Sequence, residues 1–150
     1  ARGEQATELF VEQANVIGRP NGSGFWPDYA AALARVGRFD EARRRLDRLT
    51  TEWSTEPHAW SARALALSTM SGATNSDHRT ALACAEQAVE RSSRQGPVML
   101  AALAEAQFQL GNAETAVLSL DECLRVMAGR NAEWLPLEDV AKRRRRYAGN

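Results

Sequence analysis

Two cysteines and two histidines are the side chains of this chain best able to act as nucleophiles or metal ligands. Cys84 and Cys123 lie 39 residues apart, with no CxxC motif between or beside them. Two cysteines cannot staple a chain of 150 residues into a disulfide framework, so buried free thiols are expected. His58 and His78 are not at i, i+4 spacing and have no Cys or His neighbour. A zinc site needs about four ligands in tight pairs, so no metal site is expected. Acid–base chemistry fares no better. Asp28, Glu105 and Glu138 are carboxylates on predicted helices, whereas a catalytic pair must face one substrate across about 5–9.5 Å. Each falls in a different segment of the chain, and they read as solvated helix charges. No GxSxG, P-loop or GxGxxG sequence occurs. Neither catalysis nor a cofactor is expected.

Two basic clusters have the chemistry for phosphate contact with nucleic acid or an anionic membrane surface. Arg43, Arg44, Arg45 and Arg48 are interleaved with Asp40, Glu41 and Asp47, so local ion pairs on one helix account for them. Lys142, Arg143, Arg144, Arg145 and Arg146 are consecutive. Without these five the remaining chain has 14 basic and 19 acidic residues, a net of −5. Cations at a helix C-terminus also suit the helix dipole, which leaves a solvated face as the plainer reading. Apart from Tyr147, no aromatic residue interleaves with the run to stack on bases.

The elements that position these residues are helices. The chain is 44% hydrophobic and 25% charged, with 19 basic residues balancing 19 acidic ones. A globally basic nucleic-acid binder is excluded. No stretch approaches the roughly 18 apolar residues of a membrane span. No basic-then-apolar leader opens the sequence, and a cytoplasmic location is favoured. Alanine occurs 27 times and leucine 15 times, against 8 valines and one isoleucine. Alanine and leucine lead the helix scale while β-branched residues favour strands, so an all-α fold follows. Eighteen of the basic residues are arginine, a bias that a GC-rich coding sequence explains as readily as function.

The helices repeat. Trp26, Trp60, Leu100 and Trp134 are spaced by 34, 40 and 34 residues. Trp26, Tyr29, Ala30 and Leu33 form an i, i+3, i+4, i+7 stripe, and Gly37 ends that helix. Phe39, Ala42, Leu46 and Leu49 form the stripe of a second helix, with Asp40 in its first turn. Leu100, Leu103, Ala104 and Gln107, then Gly111, then Ala113, Ala116, Leu120 and Cys123 repeat the order. Gly37 and Gly111 each follow the lead residue by 11 positions, and Ala42 and Ala116 each follow that glycine by five. The middle unit carries Trp60, Arg63, Ala64 and Leu67, then Ala81, Ala85 and Ala88. Its turn, SGATNSD over 71–77, is six residues longer and accounts for the 40-residue spacing.

On these residues the chain resembles the tetratricopeptide repeat family, whose unit is a 34-residue helix–turn–helix. The matching is good over about 26–128. Ala30, Ala42, Ala64, Ala81, Ala104 and Ala116 fall at the family's small positions. Trp26, Leu33, Leu46, Trp60, Leu67, Leu103 and Leu120 fall at its large ones. Arg63 replaces a leucine and Gln107 an aromatic residue. The unit-closing proline is displaced to Pro57 and Pro97. The resemblance implies a right-handed α-solenoid of antiparallel helix pairs in one domain. Its repeat units are 25–54, 57–93 and 97–128, flanked by an orphan helix over 4–18 and a capping helix over 132–148. A generic α-hairpin bundle is the alternative fold. The half-unit at the start suggests a piece of a longer repeat-bearing protein.

The function that the resemblance implies is a non-catalytic scaffold that holds a peptide or helix in a concave groove. The groove candidates are Ala31, Ala34 and Arg35, then Ser61, Ala62 and Leu65, then Ala101, Glu105, Phe108 and Gln109. Some family members clamp a peptide carboxylate with Lys, Asn and Arg. The corresponding places here hold Pro27, Ala31, Ala62, Ala101 and Glu105, so an amphipathic helix or extended apolar segment suits the groove better. Two alternatives stand beside the scaffold: a structural spacer with no ligand, and an electrostatic tether through the Lys142–Arg146 run. Exposed terminal helices also allow self-association.

Overall fold

A computed structural model describes residues 25–130 and 137–149 of the backbone, with the side chains of 30–129 and 139–149. Among the described residues there are seven helices and no strand. They are α1 (Phe25–Arg35), α2 (Phe39–Glu52), α3 (Pro57–Thr69), α4 (Asn75–Arg91), α5 (Pro97–Gln109), α6 (Ala113–Arg130) and α7 (Leu137–Ala148). The protein is all-α, as its alanine and leucine content predicts. The orphan helix expected over 4–18 lies outside the described residues, as does 132–136 of the expected cap.

Each helix starts and stops for local reasons visible in the sequence. Pro57 and Pro97 open α3 and α5 at the position where a missing N–H costs nothing. Gly37 and Gly111 end α1 and α5 at φ +82° and +85°. Arg38 N–H then donates to Leu33 O at 2.9 Å, and Asn112 N–H to Gln107 O at 2.9 Å, which satisfies carbonyls the helices leave open. The end of α4 uses the same bond, Arg94 N–H to Val89 O at 2.9 Å, without a glycine. Ser93 and Arg94 instead occupy the left-handed region themselves, at φ 51° and 56°.

The 71–77 segment needs a correction. Its last three residues are the first turn of α4, which begins at Asn75. Thr74 is the reason. Its hydroxyl accepts from Asp77 N–H at 3.2 Å, and Asp77 accepts from Thr74 N–H at 2.8 Å, a reciprocal capping box.

Packing follows the alanines. Consecutive helices pack on one another from α1 to α7, and α3 also packs on both α1 and α5. Ala30, Ala42, Ala64, Ala81, Ala104 and Ala116 are all fully buried, so the backbones of crossing helices approach closely there. Leu33, Leu46, Leu49, Leu100 and Leu120 fill the space between them. Trp60 is only half-buried. Its indole N–H donates to Ser54 O at 2.8 Å, and the Arg91 guanidinium lies 4.7 Å from the ring centroid. Arg91 Nε donates to the same Ser54 carbonyl at 2.8 Å, so one ring and one cation fix the α2–α3 turn against α4. Arg63 stands on the core side of α3. It donates to Thr50 Oγ1 at 3.0 Å and pairs with Asp47 at 3.3 Å, while its Nε is buried without a hydrogen-bond partner.

Candidate functional site

The partner-facing positions named from the sequence fall into two environments. On α1, Ala31 is half-buried, Ala34 buried and Arg35 exposed. On α3, Ser61 is buried, its hydroxyl donating to His58 O at 3.0 Å, while Ala62 and Leu65 are half-buried. On α5, Ala101 and Glu105 are buried, and Phe108 and Gln109 are half-buried.

Within the α5 group, Glu105 and Phe108 meet the last turn of α7. Glu105 is the one ionisable residue of α5, in PVMLAALAEAQFQ, and is 5% exposed. A carboxylate this buried needs its oxygens paired. Gln109 Nε2 donates to Oε1 at 3.2 Å, one turn along the same helix. Arg146 Nη2 donates to Oε2 at 3.2 Å, and the Tyr147 hydroxyl donates to Oε2 as well. Tyr147 is 3% exposed, and its ring stacks on Phe108 with centroids 4.3 Å apart and planes 17° from parallel. The Arg146 guanidinium lies 5.5 Å from the Phe108 centroid and 5.0 Å from that of Tyr147. Burial, and then the hydrogen bond to Glu105, push the phenol pKa well up. Tyr147 therefore stays a donor at any pH near neutral.

The terminal basic run is thus partly engaged. Arg144 Nε donates to Asp121 at 2.6 Å, and Arg146 is committed to Glu105. Lys142 and Arg145 are exposed and Arg143 is half-buried. The other cluster is tied down through Arg43. Its Nε and Nη2 each reach Asp77 at 2.8 Å, on Oδ1 and Oδ2, and its Nη1 reaches Asp40 at 3.1 Å. The bidentate guanidinium holds the Asp77 carboxyl down at about 2, assisted by Thr74 and against the opposing effect of burial. Arg45 and Arg48 pair with Glu41 and Glu52.

Cys84 and Cys123 are buried free thiols. Burial pushes both up, Cys123 to about 11, so each is a neutral thiol near pH 7 rather than a nucleophile. The Cys123 thiol donates to Pro97 O at 3.3 Å, a packing role between α5 and α6. Among the described residues no group of three or more His, Cys, Asp or Glu is placed to hold a metal ion. The side chains of Asp28 and Glu138 lie outside the described residues. Among the described residues no helix is long and apolar enough to cross a membrane.

The sequence puts Glu105 on a helix, but its partners Arg146 and Tyr147 come from α7. A lone charge in an otherwise apolar helix was the available signal, since such a group must find donors elsewhere. What the fold defines, then, is an all-α protein in which a buried carboxylate and phenol, with an exposed guanidinium beside them, join α5 to α7. No family model matches the chain, and no curated protein matches its sequence.

Proposed function

We propose that the protein is a tetratricopeptide-like solenoid acting as a non-catalytic interaction scaffold. Its partner is an amphipathic helix or extended apolar segment laid along the faces of α1, α3 and α5. The observation that carries this reading is the set of half-buried apolar groups on consecutive first helices: Ala31 on α1, and Ala62 and Leu65 on α3. Leu65 is a large apolar side chain that stays half-buried in a fold whose other leucines of α1–α3 are buried. The direct packing of α3 on both α1 and α5 supports the stacking order that such a scaffold requires. The apolar face of a helix, or the side chains of an extended segment, can lie along this kind of surface.

The spacer reading gains from one observation, the coverage of Glu105 by α7. The tether reading loses from another, the engagement of Arg144 and Arg146. Panning a displayed library of helical and extended peptides separates them. Ligands that bind the wild type and lose affinity severalfold on Leu65→Glu, in a variant that still melts cooperatively, are the expected result. Recovery of no ligand, or of ligands indifferent to Leu65, overturns the scaffold in favour of the spacer.

A further inference from the structure

The last turn of α7 lies on α5 in the manner of a bound ligand. α7 is a polar helix: Asp139, Lys142, Arg145 and Arg146 are exposed, and among its described side chains Val140 and Tyr147 are buried. Tyr147 and Arg146 both donate to Oε2 of the Glu105 carboxylate, and Gln109 donates to Oε1. Phe108, three residues on from Glu105, supplies the ring on which Tyr147 stacks and over which Arg146 sits. The two halves are complementary in charge and shape. α5 offers one buried anion beside one aromatic face. α7 offers one guanidinium beside one phenol.

We propose that Glu105 and Phe108 form a receptor for an arginine followed by an aromatic residue, that Arg146 and Tyr147 fill it in cis, and that the scaffold's partner carries the same pair and binds by displacing them. The proposal rests on the scaffold reading and specifies its partner. The chemistry selects against acidic segments, because a second carboxylate beside Glu105 would be repelled and would take from Glu105 Oε2 the donors that Arg146 and Tyr147 supply. It also selects against purely aliphatic ones, which satisfy neither the buried anion nor the ring. Cis occupancy sets the threshold for entry. A tethered ligand is present at high effective concentration, and a competitor's apparent affinity falls by the fraction of time the site is open.

The test uses the full chain and a fluorescent peptide of residues 137–150, LEDVAKRRRRYAGN. The control is the same peptide with its Arg146 and Tyr147 positions changed to alanine. Arg146→Ala/Tyr147→Ala empties the site in the protein. It is expected to bind the peptide at least about tenfold tighter than the wild type does. Adding Glu105→Gln is expected to remove that gain, and the control peptide to show none. If the emptied protein no longer melts cooperatively, Arg146→Gln/Tyr147→Phe keeps both rings in place and is expected to give a gain of severalfold. No gain in a folded variant, or equal binding of peptide and control, overturns the proposal. Panned ligands that depend on Leu65, alongside an absent gain here, would leave the scaffold standing and remove only the arginine–aromatic receptor.

Discussion

α3 and α5 are built alike and used differently. Both are 13 residues long, both open on a proline, and both pack against a helix on either side. α3 leaves Ala62 and Leu65 half-buried. α5 is buried without a break from Met99 to Ala106, and α7 closes over its Glu105 and Phe108. The lesson is that an apolar helix tolerates a carboxylate when its donors arrive from far along the chain, here 41 and 42 residues away. Local sequence decides that a helix forms. A distant turn decides which of its faces remains free.

The largest effect should come from putting a charge on both faces. Phe108→Glu places a second carboxylate beside Glu105 under Tyr147 and is expected to cost about 2–4 kcal/mol in urea unfolding. Leu65→Glu on the open face is expected to cost at most about 1 kcal/mol. Equal losses would erase the distinction. Ala42→Leu and Ala116→Leu test what the two ends share. Both alanines are fully buried at helix crossings, and each substitution is expected to destabilise by about 1–3 kcal/mol through overpacking. Neutral melting temperatures would mean that the crossings are looser than the burial implies.

Acid should weaken the α2–α4 contact. The Asp77 carboxyl is held at about 2 when folded, against an ordinary value of 3.8. A depressed acid stabilises the fold above its unfolded pKa and loses that contribution as pH falls toward the folded one. Stability of about 1–2 kcal/mol, discounted for the partial exposure of Arg43, is expected to disappear between about pH 4 and pH 2. Arg43→Ala should flatten that part of the profile. The smallest expected effect is a gain. Ser93→Gly relieves a left-handed residue at the α4 end and should stabilise by about 1 kcal/mol, whereas the α5 end, which already has Gly111, offers no such gain.

Much of the fold was legible because its signals are local. The Trp60 and Leu100 landmarks, the Gly37 and Gly111 stops and the Ala42 and Ala116 positions place α1 to α6 within a few residues. The 71–77 segment reads as loop to its end because Thr74 and Asp77 have loop-forming side chains, which here cap a helix. The site was less legible. Its residue types gave Glu105 and Phe108 as neighbours on one helix, but the Arg146 and Tyr147 partners depend on how α7 returns. Arg63 was visible as a departure from an apolar pattern, yet its ties to Thr50 and Asp47 required the crossing of α2 and α3.

The left-handed turn after α4 also has an enzymatic consequence. Trypsin cuts after arginine and lysine in backbone that can extend into its cleft, and helices resist it until they unfold. Among the described residues only Arg38 and Arg94 of this arginine-rich chain stand outside a helix. Arg94 is also gripped by Glu122, with Nε at 2.8 Å and Nη2 at 2.5 Å from the two carboxylate oxygens. The protease must take the same guanidinium that the carboxylate holds. Cleavage after Arg94 should therefore be slow in the native chain and faster in Glu122→Gln, so that a digestion time course reads out one ion pair between the α4–α5 turn and α6.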